Sequence, residues 1–81
     1  MRKIGEEINL SELRPFDIIT TENGNYGECL VYKIDKDWIS LILNIQDTEK
    51  TEIIWRRCET LGKMVLTDIM VKKSTNTTND N

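Results

Sequence analysis

The residues best equipped for chemistry sit in a run of three, Trp55-Arg56-Arg57, with a second tryptophan upstream at Trp38. An indole offers a broad apolar face with one N–H donor. A guanidinium offers a planar fork that grips carboxylates and phosphates. Trp and Arg are also the side chains that most often carry the energy of a protein interface. The same pairing of ring and cation stacks on nucleobases. Two constellations follow. One is a partner-binding surface made of Trp38, Ile42, Trp55, Arg56 and Arg57. The other is a nucleotide or nucleic-acid contact made of Trp55, Arg56, Arg57, Lys72 and Lys73.

Groups suited to catalysis are sparse. The chain has no histidine, so the commonest general base and metal ligand is missing. Cys29 and Cys58 stand apart, with neither a C-x-x-C pair nor a histidine to build a zinc site. A cysteine nucleophile would need a base and an orienting group, and no spacing supplies them. The sequence Gly-Asn-Tyr-Gly at 24–27 is too short for a phosphate loop and lacks the Lys-Ser or Lys-Thr that follows one. Asp35 with Asp37, and Glu49 with Glu52, read as solvated ends of hairpins. The expectation is a protein that is not an enzyme, with no metal and no cofactor.

Charge and composition narrow the partners. The 81 residues carry 14 acidic and 11 basic side chains, a net charge of −3, and the signs are interspersed. A dedicated nucleic-acid binder normally presents a basic face, so this balance argues against one and favours simple solubility. Two cysteines do not make a disulfide framework, and there is no signal-peptide pattern. No apolar run approaches the ~18 residues that cross a bilayer. These features predict a cytoplasmic protein without membrane contact, its two thiols reduced and buried.

The elements that must position Trp38 and Trp55 read as strands. Residues 1–12 form a lead-in where Asn9 or Ser11 caps one helical turn, and Pro15 stops it by forcing Arg14 extended. Residues 16–22 (FDIITTE) form a first strand with Phe16, Ile18 and Thr20 on one face. Asn23-Gly24 then marks a tight hairpin corner, because a primed turn needs positive φ at its central residues. That corner is turn chemistry, and no site is placed there. A second strand over 27–35 carries Leu30, Tyr32 and Ile34 on one face, and Asp35-Lys36-Asp37 makes a short polar turn. The third strand, 38–45 (WISLILNI), sets Ile39, Leu41, Leu43 and Ile45 on one face and Trp38, Ser40, Ile42 and Asn44 on the other. The fourth, 51–58 (TEIIWRRC), opposes Ile53 and Trp55 to Ile54 and Arg56. The fifth spans 64–72 (MVLTDIMVK).

Five short strands with one helical turn predict an all-β chain: a five-stranded antiparallel SH3-like barrel or rolled sheet over residues 1–73. Residues 74–81 (STNTTNDN) hold no apolar group and are expected to be a disordered polar tail. A small barrel has one interior, and strands three and four are apolar on both faces. Large apolar groups on the outside of a small domain mark a contact surface. Parity alone sends Trp38 and Ile42 outward and leaves open whether Ile53 with Trp55, or Ile54, joins them.

Leu10, Leu13, Pro15, Asp17, Ile18, Ile19, Asn23, Gly24 and Val31 together resemble the opening of small phage and prophage barrels of the SH3-like, KOW-like type. Residues 67–71 (TDIMV) look like the closing strand of such proteins. The pattern usually has glycine where this chain has Phe16, and the likeness covers about half the chain. It rests on turn and strand chemistry, which speaks to fold more than to activity. What it implies is a phage or mobile-element accessory protein that binds and inhibits a host defence factor. Independently of the resemblance, the outward apolar face of strands three and four is expected to self-associate as well.

Overall fold

The computed structural model describes residues 2–47 and 49–70. Among these residues the fold is all-β, with five strands: β1 (Asp17–Thr21), β2 (Cys29–Asp35), β3 (Trp38–Leu43), β4 (Glu52–Arg57) and β5 (Met64–Ile69). They form one antiparallel sheet in the order β4-β3-β2-β1-β5. Two single 3-10 turns, Leu10–Glu12 and Cys58–Thr60, precede β1 and β5. The expected tail, residues 74–81, and the Lys72 and Lys73 pair lie outside the described residues.

The first turn falls where the lead-in predicts it, but Asn9 makes no side-chain cap. Its neighbourhood is held by a different device. Arg2 forks onto the buried carboxylate of Asp17, with Nη1 to Oδ2 at 2.5 Å and Nη2 to Oδ1 at 2.7 Å. The Arg14 N–H donates to the same Oδ2 at 2.8 Å. A buried carboxylate is tolerated only when its lone pairs are met this way. The exchange also holds the Arg2 guanidinium above its usual pKa, chiefly through the Asp17 hydrogen bond.

Phe16 lies just outside β1 rather than within it, and its φ is +75°. The left-handed region suits glycine, which is the residue the resembled pattern carries at this place. The Phe16 N–H donates to the Val31 carbonyl at 2.7 Å, and its own carbonyl accepts from Met70 N–H at 2.8 Å. The backbone bridges β2 and the end of β5, and the side chain takes the conformational cost.

Two expectations about the hairpins are corrected. Asn23-Gly24 does not make a two-residue turn. It sits in a loop of residues 22–28, where Gly24, Asn25 and Gly27 all have positive φ. The loop stays wide because it is sewn to the segment before β5: Glu22 N–H donates to the Lys63 carbonyl at 2.8 Å and Asn23 N–H to the Leu61 carbonyl at 2.9 Å. The tight hairpin is the next one, where Asp35 pairs with Trp38 around Lys36 and Asp37, with Lys36 at φ +53°. The second correction concerns β2. Its register slips between Val31 and Lys33, so Leu30, Tyr32 and Ile34 do not share a buried face. An extra residue in one strand breaks the two-residue alternation that parity assumes. Tyr32 is left exposed while Leu30 and Val31 are buried.

The core packs on the inner face. Ile39 and Leu41 of β3, Val31 and Cys29 of β2, Ile19 of β1 and Leu66 of β5 are fully buried there, with Leu61 and Cys58 from the second 3-10 turn and its end. Cys29 and Cys58 are unpaired thiols. Burial raises both pKa values, that of Cys29 to about 11. Among the described residues no helix is long and apolar enough to cross a membrane.

Candidate partner-binding groove

Strand register settles which side of β4 faces out. Opposite residues of an antiparallel pair share a face. Trp38, Ser40 and Ile42 of β3 stand opposite Arg57, Trp55 and Ile53 of β4, while Ile39, Leu41 and Leu43 stand opposite Arg56, Ile54 and Glu52. The second set lies on the inner face, and Ile54 packs against the core. Ile53 and Trp55 therefore face out.

Ile42 also lies opposite Leu30, and Leu30 opposite Ile18. One apolar row, Ile18–Leu30–Ile42–Ile53, thus crosses four strands on the outer face. Its burial falls toward the edge. Ile18 and Leu30 are buried, Ile42 is half-buried and Ile53 is 57% exposed.

Both tryptophans are surface residues, Trp38 at 44% and Trp55 at 43% exposure. Neither is buried in the core. Ser40 lies between them on the outer face, fully buried, and its Oγ has no hydrogen-bond partner among the described residues.

Trp38, Trp55, Arg56 and Arg57 line one open groove of about 450 Å³. The rest of its wall comes from Asn23, Gly24 and Tyr26 in the 22–28 loop and from Thr60 and Leu61. The wall is tied down. Arg56 Nε donates to the Tyr26 hydroxyl at 2.8 Å, and the Arg56 guanidinium lies 6.0 Å from the Tyr26 ring centre. Asn23 Nδ2 donates to the Thr60 carbonyl at 3.1 Å. Gly24 has φ +93°, and a Cβ there would come closer to the Tyr26 ring than van der Waals contact allows, so glycine lets the loop pass so close. On the other side, the Arg57 guanidinium lies 6.0 Å from the Trp38 ring centre and pairs with Glu59 at 3.0 Å.

Each arginine is thus propped against an aromatic ring, which limits the rotamer freedom lost when a ligand arrives. The groove combines three aromatic faces with two cations. Four of the five expected contact residues meet in it. The fifth, Ile42, belongs to the apolar row beside it.

Sequence reasoning missed the loop wall. Asn23, Gly24 and Tyr26 read as a corner because their partners, Thr60, Leu61 and Arg56, lie some thirty or more residues away. The one local signal was a tyrosine set between two glycines, Gly24 and Gly27. Among the described residues no cluster of His, Cys, Asp or Glu could hold a metal ion. No family model, curated protein or solved structure matches this chain.

Proposed function

We propose that this chain is a non-enzymatic protein-binding module whose groove receives an extended segment of a partner protein. The observation that supports this most is the convergence of half-exposed Trp38 and Trp55 with Arg56 and Arg57 around one open groove. Aromatic anchors beside pre-positioned arginines are the composition of an interface centre. The fitting ligand is a segment with an apolar side chain to lie on the indoles and a carboxylate to meet the guanidiniums. The partner class follows from the resemblance to small phage barrels: a host protein, held in an inhibited state. The SH3-like identity of the sheet belongs to the same proposal, supported by its five antiparallel strands and the absence of a longer helix among the described residues.

The test is selection from a peptide display library against the full chain, followed by titration of the selected peptides. Trp38→Ala and Trp55→Ala should each weaken binding by about ten-fold or more, as interface-centre residues do. Selection that yields nothing, or peptides indifferent to both substitutions, would refute the reading.

The nucleotide alternative keeps one supporting observation, the stacking of Arg56 and Arg57 on rings at the groove. Titration with a single-stranded oligonucleotide at rising salt tests it. Trp55-dependent binding that weakens steeply with salt would favour it.

A further inference from the structure

The two edges of the sheet are treated differently. The free side of β5 is covered by residues 5–8: Gly5 N–H donates to the Leu66 carbonyl at 2.7 Å, Ile8 N–H to the Met64 carbonyl at 2.8 Å, and Leu66 N–H to the Glu6 carbonyl at 3.1 Å. The free side of β4 has no such cover among the described residues. An uncovered strand presents a row of unpaired N–H and C=O groups, which proteins normally blunt.

We propose that β4 is the interface of a homodimer, pairing antiparallel with β4 of a second copy about a two-fold axis through Ile54. The proposal goes beyond the groove but draws on two of its residues, Trp55 and Arg56, so a second copy and a bound segment would compete for them. A two-fold axis perpendicular to a sheet keeps each residue on its own face, so paired positions must share parity. Centring the axis on Ile54 places Ile54 against Ile54, Ile53 against Trp55 and Glu52 against Arg56, each of the last two twice.

Every one of those pairs is complementary. Glu52 and Arg56 share the inner face and carry opposite charges at the two ends of the strand. Ile53 and Trp55 share the outer face, and both are exposed in the single chain. An acid at one end and a base at the other is the pattern that matches itself when run antiparallel.

The outer face adds a second argument. The apolar row Ile18–Leu30–Ile42–Ile53 ends abruptly at the open edge, on its most exposed member. In the dimer the row continues onto Trp55 of the second copy. Trp38, on β3, stays outside the pairing, so each copy keeps that part of its groove.

The experiment is sedimentation velocity on the full chain from about 10 µM to about 1 mM, the range for an interface smaller than standard size. The wild type should shift from monomer to dimer across it. Glu52→Arg and Arg56→Glu should each raise the dissociation constant at least about ten-fold, since each sets two like-charged pairs face to face. The double variant carrying both should return to within about three-fold of wild type, because opposite charges meet again. That double variant is its own folding control.

A chain that stays monomeric throughout overturns the proposal. So does a dimer indifferent to both reversals, or a double variant that stays as weak as the singles. Glu52 does not line the groove, so peptide binding by Glu52→Arg separates a failed dimer from a failed groove.

Discussion

Arg56 donates to the hydroxyl of Tyr26 across thirty residues of sequence, and that bond joins the sheet edge to the loop that walls the groove. Tyr26 is packed against the core through its ring while its hydroxyl reaches the surface arginine. The groove is therefore a tertiary object, built where the 22–28 loop and β4 meet.

That meeting point is sensitive to Gly24. Gly24→Ala adds a methyl group that meets the Tyr26 ring at a backbone position with positive φ. The expected cost is about 1–2 kcal/mol, read as a lower urea midpoint with an unchanged slope. Peptide affinity should fall as well, because Tyr26 must move. Tyr26→Phe keeps the ring and loses one exposed hydrogen bond, so its cost should stay below about 1 kcal/mol.

The fork between Arg2 and Asp17 should matter more than any surface pair. Arg2→Leu strands a buried carboxylate that retains only the Arg14 N–H. Removing one partner of a buried pair costs about 3 kcal/mol or more. A core of this size supplies only a few, so the variant should be largely unfolded at room temperature by circular dichroism. A variant with wild-type stability would refute the structural role of the fork.

The buried thiols predict a loss of stability in alkali. Burial raises the folded-state pKa of Cys29 from 9.0 to about 11 and raises that of Cys58, with nearby Asp37 adding to the burial effect. Below pH 9 both states keep the Cys29 proton, and its contribution is fully present. As pH climbs from 9 toward 11 the unfolded chain ionises first and is favoured, so stability falls, by about 2 kcal/mol for Cys29. Urea titrations at several pH values, on wild type and Cys29→Ala, should show a shallower alkaline slope in the variant. Equal slopes would count against a buried, proton-retaining Cys29.

Phe16 holds a backbone conformation that glycine takes at no cost. Phe16→Val adds a β-branch at positive φ, whereas Phe16→Gly relieves it. The valine variant should be less stable than the glycine variant by about 1–2 kcal/mol. Thermal unfolding of the pair decides it, and equal midpoints would show that the strain is borne elsewhere.

Strand identity was legible because alternation is local. Residues 38–43 and 52–57 read as strands from their own side chains, and the two-faced apolarity of β3 and β4 is visible in Trp38, Ile42, Ile53 and Trp55 from their types and spacing alone. Parity within one strand also placed Trp38 and Ile42 on a common face.

What parity could not settle was which face of β4 joins the core, because that depends on pairing with β3. The register sets Ile54 against Leu41 and so sends Ile53 and Trp55 outward. The bulge in β2 and the wide 22–28 loop were hidden for a related reason. The bulge appears only in the pairing of β2 with β3, where Tyr32 is skipped between Val31 and Lys33, and the loop is fixed by hydrogen bonds to Leu61 and Lys63, far along the chain. The amino-acid sequence alone determined the strands and the residue types able to bind. Only the tertiary structure brought Tyr26 to Arg56, covered the β5 edge and, among the described residues, left the β4 edge open, because each of these rests on how residues without a common local periodicity meet.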